Sequence, residues 1–262
     1  MDDAGARLGQ TNPHRPQPAG PRLGLFWRPI SDGLPRHRRP AGATIQLEGD
    51  GAGRLYIVVS GWLAITRSMT EGHRQIIDVV LPGGVVDPAS ADPCSSAVDV
   101  EALSDVTYAT IARQDWQRLL RACPEWSWAQ DASGRAAMAR VSGRMLRLGR
   151  GRADSILAYA LCELCLRATQ ARLQQGRTYH IPMSQRQLGE FCGLSAVHVC
   201  RVLQRFRADG LVERRGPSRF KIRDLAALAD VADIDPAILC QQILPPAAPI
   251  GRAAGPDPTR PV

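Results

Sequence analysis

The sequence predicts an α+β chain in which a small antiparallel β-domain precedes a long helix and a winged helix-turn-helix. Three observations support this fold class. Short apolar runs separated by glycines occupy residues 40–112, a helical stripe follows Pro124, and two capped helices joined by a glycine lie within residues 184–208. Because 262 residues exceed the size of most single domains, we expect two domains, each with its own core.

The two ends of the chain differ from its middle in composition. Prolines recur among polar residues in segments 1–22 and 245–262, so we expect both tails to be disordered. No apolar stretch has the length of a signal-peptide core or of a membrane span, so neither export nor membrane insertion is expected. The seven cysteines are odd in number and scattered, which favours reduced thiols and a cytoplasmic location.

Residues 23–123 are expected to form the β-domain. Their apolar runs are short, and glycines separate them, which is typical of a small antiparallel barrel or sandwich. The predicted strands are Arg54–Ser60, Trp62–Ser68, Gln75–Leu81 and Thr107–Ile111.

Residues 124–149 are expected to form one long helix. An apolar stripe recurs in it at alternating spacings of four and three residues, the pattern of a helix that packs against another helix. The stripe either binds a second copy of the chain or packs on the chain's own β-domain. A second helix, Asp154–Arg172, would follow and open a C-terminal domain of residues 150–240. The members of the stripe are Gly134, Met138, Val141, Met145 and Leu148.

A helix-turn-helix pattern lies inside the C-terminal domain. Ser184 and Gln187 have the spacing of a capping box at the start of the first helix. Gly193 permits the left-handed backbone of a sharp turn, and Ser195 can cap the second helix. Four apolar residues of the second helix recur at helical spacing and must face inward. They are Val199, Val202, Leu203 and Phe206.

The outward face of the second helix carries the candidate DNA contacts, because the start of that helix enters the major groove in this motif. Arg201 is the best candidate for reading a base, since arginine can donate two hydrogen bonds to guanine. Two runs, Leu211–Glu213 and Arg219–Ile222, predict a two-stranded wing that faces the phosphates, and for Arg205 we expect a phosphate contact or a surface charge. The candidate DNA-binding residues are Ser184, Gln185, Ser195, Ala196, Val197, His198, Cys200, Arg201, Gln204, Arg205, Arg214, Arg215, Arg219 and Lys221.

The basic charge of the chain is confined to the same region. Between Arg150 and Arg223 the sequence has 14 basic and 5 acidic residues, whereas the remainder has 19 and 20. A localised positive field favours a polyanionic partner, because phosphates neutralised by basic side chains release their counterions. The other interpretation is a solvated basic surface without a partner.

The string SQRQLGEFCGLSAVHVCRVLQRFRADGLVERRG at residues 184–216 resembles the CRP/FNR superfamily of bacterial transcription regulators, and LEGDGAGRLYIVVSGWLAI at residues 47–65 is similar to the start of that family's β-roll. The resemblance implies a cyclic-nucleotide-binding-like roll that senses a signal and a long dimerisation helix at Pro124–Leu148. It also implies a homodimer on a palindromic duplex, and contact with RNA polymerase if the protein is an activator.

The sequence departs from the family at its ligand and base-reading positions. Where cyclic-nucleotide binders carry a Gly-Glu pair and an Arg-Ser pair, this chain has Val86-Asp87-Pro88 and Ser95-Ser96-Ala97. We therefore expect no cyclic AMP, because its phosphate would lack the arginine. No cysteine precedes Cys94, so an N-terminal iron–sulfur cluster is not expected either, and we predict no cofactor. Ala196-Val197 replaces the Arg-Glu of some members, which predicts a different half-site.

Other residues suggest a rival function. Cys162 and Cys165 form a C-x-x-C pattern, which favours buried structural thiols over zinc or redox chemistry because no second ligand pair follows. Cys200 is a possible redox thiol on the DNA face, and His73 is expected in an exposed turn. The alternative to a regulator is a ligand-binding or redox-responsive thiol protein whose basic surface meets another polyanion. No catalytic constellation is present, so we do not expect an enzyme.

Overall fold

The computed structural model describes residues 27–246, except Arg215, Pro217 and Ser218. The expected disordered tails lie outside the described residues, apart from Pro245 and Pro246 at the start of the second. Within the described part, none of the helices combines the length and the apolarity that crossing a bilayer requires.

The N-terminal half is an antiparallel β-roll, which confirms the predicted β-domain. Its elements are α1 (Arg28–Asp32), β1 (Arg36–Arg39), β2 (Thr44–Gln46), β3 (Arg54–Ser60), β4 (Leu63–Ser68), β5 (Arg74–Val80), β6 (Val85–Val86), β7 (Asp99–Ala102) and β8 (Val106–Ala112). The strands form two sheets of four, in the orders β1-β8-β3-β6 and β2-β7-β4-β5. Each of the four predicted strands lies within one residue of an observed one, whereas the short β1, β2, β6 and β7 were not predicted.

Side chains fill the space between the two sheets of the roll. Tyr56 and Tyr108 meet there edge to face, with ring centroids 5.6 Å apart. The Tyr56 hydroxyl donates a 2.6 Å hydrogen bond to Gln46 Oε1, so its polar end is satisfied inside the roll. The apolar residues buried around the two tyrosines are Val58, Leu63, Val80, Val86, Val100, Ala102 and Val106.

Two helices follow the roll: α2 (Arg113–Ala122) and α3 (Pro124–Arg150). Proline begins α3, where its missing N–H leaves no hydrogen bond unmade. The buried face of α3 consists of Trp126, Ala129, Ala132, Ala136 and Arg144. The predicted stripe lies on another face: Met138, Met145 and Leu148 are 67%, 71% and 47% exposed. The interpretation in which the stripe packs on the chain's own β-domain is therefore wrong.

The C-terminal half contains the predicted helix-turn-helix and wing. Its elements are α4 (Ala153–Gln170), β9 (Gln174–Gln175), β10 (Thr178–His180), α5 (Gln185–Cys192), α6 (Ala196–Ala208), β11 (Val212–Arg214), β12 (Arg219–Ile222), α7 (Leu225–Val231) and α8 (Pro236–Ile243). Strands β11 and β12 pair antiparallel, as predicted for the wing, and β10 and β9 extend them to a four-stranded sheet in the order β11-β12-β10-β9, which was not predicted. The polar strands β9 and β10 are too short to produce a recognisable alternating pattern. The last helix ends at Ile243, three residues beyond the expected limit at 240.

The roll and the C-terminal helices share one hydrophobic core. Trp62, Ile76 and Leu103 of the roll belong to the same buried cluster as Leu161 of α4 and Phe191 of α5. The expectation that each domain buries its own core is therefore wrong for the C-terminal half. Ala64 of β4 and Val79 of β5 also belong to this cluster, so the contact between the two halves is part of the fold.

Candidate nucleic-acid interface

The first helix of the motif, α5, begins and ends as the sequence predicts. The Ser184 hydroxyl accepts a 3.2 Å hydrogen bond from the Gln187 N–H, and Gln187 Oε1 accepts one of 2.9 Å from the Ser184 N–H. Gly193 ends the helix with φ of 65°, a left-handed conformation that other residues rarely adopt. The capping box and the glycine turn together hold α5 at a defined angle to the helix that follows.

The second helix, α6, is capped by Ser195, whose hydroxyl accepts a 3.2 Å hydrogen bond from the His198 N–H. The predicted inward residues, Val199, Val202, Leu203 and Phe206, are all buried. This burial turns the opposite face of α6 to solvent. Its exposed residues are Ala196, Val197, His198, Arg201, Gln204 and Arg205, and Cys200 is half-buried among them.

Four of the predicted contacts in the helix-turn-helix already have a partner within the chain, namely Ser184, Ser195, His198 and Arg205. The His198 ring places Nδ1 3.0 Å from the Ser195 hydroxyl oxygen. The Arg205 guanidinium forms an ion pair with Asp154 in the first turn of α4, so its charge is partly compensated. Ser184 uses its hydroxyl oxygen as a helix cap, and Gln185 beside it is half-buried. Arg201 therefore stands out as an exposed cation near the start of α6.

The wing carries further basic side chains on its strands β11 and β12. Strand β12 alternates: Phe220 and Ile222 are buried, whereas Arg219 is exposed and Lys221 is half-buried. The exposed Arg214 lies over the Phe220 ring, with its guanidinium carbon 5.9 Å from the ring centroid. Arg215, the fourth predicted wing contact, lies outside the described residues.

The thiols of the C-terminal half are mostly buried. Burial raises the pKa of Cys162 to about 12 and that of Cys192 to about 12, and it raises the pKa of Cys165 well above its ordinary value. Because the thiolate is the reactive form, these three side chains are protonated and inert at neutral pH. His73 lies exposed between β4 and β5, as predicted for a turn residue.

The loop between β6 and β7 does not fit a cyclic nucleotide. Asp87 is paired with the Arg113 guanidinium, whose Nη1 lies 2.9 Å from Asp87 Oδ2. The Ser96 hydroxyl donates a 2.7 Å hydrogen bond to the carbonyl of Val98, within the same loop. Asp87 lies where cyclic-nucleotide binders carry their Gly-Glu pair, and Ser95-Ser96-Ala97, which corresponds to their Arg-Ser pair, offers no arginine to a phosphate.

A cluster of five buried charges was not predicted. Asp78 lies in the apolar strand β5, Arg140 and Arg144 lie on α3, and Glu163 and Arg167 lie on α4. Burial alone would raise the pKa of Asp78, but Arg167, Arg140 and Arg144 outweigh this effect and hold the pKa below its ordinary value. The sequence contains a signal for the cluster, since both acids interrupt runs of apolar residues.

Comparison with known proteins agrees with this architecture. Two family models match, one for the cyclic nucleotide-binding domain over residues 36–123 and one for the Crp-like helix-turn-helix domain over residues 157–231. The nitrogen fixation regulation protein FixK of Rhizobium meliloti (strain 1021) is 26% identical over 215 residues, which cover 82% of this chain and 90% of FixK. The cyclic AMP receptor protein of Thermus thermophilus is 26% identical over 198 residues, 75% of this chain and 88% of that protein.

The solved structure of FixK2 from Bradyrhizobium japonicum has the same fold. It superposes with a TM-score of 0.68 at 23% identity and covers 77% of this chain and 98% of its own. A roll of the cyclic nucleotide-binding type, a long helix and a Crp-like helix-turn-helix thus follow one another in a single chain. The protein belongs to the CRP/FNR superfamily and is a DNA-binding transcription regulator.

Proposed function

We propose that the protein acts as a homodimer that recognises a two-fold symmetric site in duplex DNA through α6, under the control of its β-roll. The observation that carries this proposal is the exposed face of α6, where Arg201 follows a capped helix start. In a helix-turn-helix this part of the second helix contacts base edges in the major groove. The three functional regions are the roll (23–123), the dimer helix (124–149) and the DNA-binding domain (150–240).

In this proposal α6 recognises the bases of the DNA site, and the wing binds its phosphates. Arg201 specifies a base, by donating to guanine O6 and N7, and Gln204 lies on the same exposed face. Ala196 and Val197 offer only apolar contact, such as with a thymine methyl group. The basic residues of the wing bind phosphates, which fixes the register of the protein without reading sequence. Ser184, Gln185, Ser195, His198, Cys200, Arg205, Arg214, Arg215, Arg219 and Lys221 complete the proposed DNA-binding set.

The apolar stripe of α3 supports the dimer. Met138, Val141, Met145 and Leu148 are spaced for a partner helix, and three of them are largely exposed in the single chain. Exposed methionines and leucines in one row are typical of a surface that another protein covers. A second copy that pairs through the stripe would place two α6 helices on the same duplex. If the protein activates transcription, it would then contact RNA polymerase beside its site.

The signal that reaches the roll is unidentified, and we propose that it is not cyclic AMP. The packed interior around Tyr56 and Tyr108 and the lack of an arginine in Ser95-Ser96-Ala97 support this exclusion. The rival function, a redox-responsive thiol protein, is disfavoured because burial keeps Cys162, Cys165 and Cys192 protonated. We propose no resident cofactor and no enzymatic activity for this chain.

Selection from random duplex DNA tests the proposal. The purified, reduced protein is incubated with the library without added ligand, and the bound fragments are sequenced. We expect an enriched palindrome with half-sites about 10 bp apart, the distance that matches one helical turn. If binding is salt-sensitive but no sequence is enriched, the selection is repeated with protein that has been crosslinked as a dimer. Absence of an enriched sequence in this second selection as well would contradict the proposal.

A further inference from the structure

The five buried charges join the three parts of the chain at one point. The Asp78 side chain comes from the roll, Arg140 and Arg144 from the long helix, and Glu163 and Arg167 from the DNA-binding domain. None of the five side chains is more than 11% exposed. Burying charges is costly, and an apolar contact of equal size would often be more stable, so a buried cluster is better suited to fixing one arrangement than to adding stability.

Asp78 lies at the centre of the cluster. Its Oδ2 accepts a 2.7 Å hydrogen bond from Arg140 Nη2, and its Oδ1 accepts one of 2.9 Å from Arg167 Nη1. The nearest nitrogen of Arg144 lies 3.6 Å from Oδ1. One carboxylate of the roll therefore binds arginines of both the long helix and the DNA-binding domain.

Arg144 and Arg167 also donate hydrogen bonds to the backbone of β5 on either side of Asp78. Arg144 Nη2 donates a 2.5 Å hydrogen bond to the carbonyl of Ile77, and Arg167 Nη2 donates to the carbonyl of Val79. Glu163 on α4 accepts hydrogen bonds from both arginines, at 2.6 Å from Nη1 of Arg144 on α3 and at 3.1 Å from Nη1 of Arg167 on α4. These charge-assisted bonds fix direction as well as distance, so α4 cannot rotate against β5 without breaking several of them.

Strand β5 also reaches the helix-turn-helix directly. Gln75 Nε2 lies 3.5 Å from the carbonyl oxygen of Phe191 in α5, and Arg74 Nε lies 3.8 Å from the carboxylate of Glu190. These contacts fix the orientation of α5 relative to β5, the strand that carries Asp78. Because α6 packs on α5, its orientation is fixed as well. In this arrangement the outward face of α6 is exposed, so it is compatible with DNA binding.

We infer that Asp78 is a positioning residue for DNA recognition. It acts from the roll, through Arg167 and Arg140, to hold α6 at a fixed orientation relative to the long helix. The inference rests on the proposed function, because that orientation matters only when two copies of α6 must meet both half-sites of one duplex. A single half-site does not depend on it.

The test compares Asp78→Asn with the wild-type protein on two probes: the palindrome enriched by selection and a duplex with one of its half-sites. Glu71→Gln is the matched control, since this exposed carboxylate on the β4–β5 turn gives the same charge change in the same hairpin. We expect Asp78→Asn to lose about tenfold of its preference for the palindrome over the half-site, a typical coupling between sites. The affinity for the half-site should not change, and Glu71→Gln should resemble the wild type on both probes.

If Asp78→Asn does not fold, the double variant Asp78→Asn/Arg140→Gln replaces it, because removing both members of a buried pair is better tolerated than removing one. Hydrogen exchange gives a second measurement, in which we expect faster exchange in α5 but unchanged exchange in β3 and β8. A folded variant with wild-type preference and wild-type exchange in α5 overturns the inference alone. Absence of any enriched site for the wild-type protein overturns the proposed function, and this inference with it.

Discussion

Leu148, near the end of the long helix, lies directly against Gly193, the turn glycine of the helix-turn-helix. A Cβ atom built at position 193 would be 2.3 Å from Leu148 Cδ2, far inside van der Waals contact. Leu148 is also the last member of the apolar stripe, so the proposed dimer surface and the turn of the DNA-reading motif meet at one side chain.

Gly193→Ala is expected to destabilise the protein more than Gly210→Ala does. Both glycines are left-handed, with φ of 65° and 71°, but a Cβ at 210 would meet nothing within 4 Å. The left-handed backbone costs about 1–2 kcal/mol in each variant, and at position 193 the end of the half-exposed Leu148 side chain must also turn away, which adds about 0.5–1 kcal/mol. Denaturant unfolding measures both losses. Equal losses, or no recovery when Leu148→Ala is added to Gly193→Ala, would argue against the contact.

Arg201→Ala and Arg214→Ala are expected to weaken DNA binding in different ways. Loss of a bidentate base contact should cost about 1–3 kcal/mol at the selected site and relax one base position. Loss of the wing arginine should lower the affinity for all duplexes alike. The slope of the logarithm of the affinity against that of the salt concentration should fall by about one unit, as for the loss of one phosphate contact. Titration of specific and random duplexes at several salt concentrations separates the two effects. Equal losses on both duplexes from both variants would refute the assignment of Arg201.

Asp154→Asn is expected to strengthen binding to random duplex DNA. The Asp154 carboxylate pairs with Arg205 on α6, so removing its charge frees Arg205 for a phosphate. The logarithm of the affinity should then depend more steeply on salt, by about one unit of slope. Asp209→Asn, at the end of the same helix, is the control for a general change of charge. An equal gain from Asp209→Asn would show that the pair with Arg205 is not the cause.

The double variant Met138→Asp/Met145→Asp is expected to be monomeric. Two carboxylates in the middle of a helix–helix contact would repel their copies and would have to be desolvated. Leu146→Asp is the control, because Leu146 is 63% exposed on the same helix but does not belong to the stripe. Analytical ultracentrifugation gives the mass of each species. A dimeric double variant would place the contact between copies elsewhere on the chain.

The stability of the protein is expected to depend on Asp78 in a pH-sensitive manner. Its pKa in the folded chain is held below the unfolded value of about 4, so the stability that it contributes is complete above that value and is lost as the pH falls through the folded pKa. The difference in unfolding free energy between wild type and Asp78→Asn should shrink from about pH 6 to about pH 3. Arg140, Arg144 and Arg167 face the same carboxylate. Glu163 contacts two of these arginines, and all four groups are unchanged in the variant. Parallel stability curves would contradict the pKa shift.

The parts of the fold that rely on local signals could be predicted from the sequence. Ser184, Gly193 and Ser195 act on neighbouring backbone atoms, so their residue types alone define where α5 and α6 begin and end. The inward face of α6 follows from helical spacing, whereas the spacing of the α3 stripe left open whether the stripe packs on the chain's own β-domain or binds a second copy. For this reason the candidate DNA-reading face was predicted residue by residue.

Features made by contacts between distant segments could not be predicted in this way. Asp78 and Arg167 are 89 positions apart in the sequence. Each of them, taken alone, is an isolated charged residue beside apolar residues, and nothing in the sequence indicates that the two form a pair. Strand β10 joins the sheet by pairing with the distant strand β12, and β9 pairs in turn with β10. The pairing of Arg205 with Asp154 likewise depends on how α4 and α6 are packed.

The core that the roll shares with the C-terminal helices limits how this protein can be rebuilt. A winged helix cut out at Gly151 would expose the faces of α4 and α5 that Trp62, Ile76 and Leu103 now cover. Grafting the same winged helix onto an unrelated receptor would therefore require β4 and β5 to be carried along or replaced by a surface of matching shape. New specificities are more readily introduced by exchanging side chains on α6 than by exchanging whole modules.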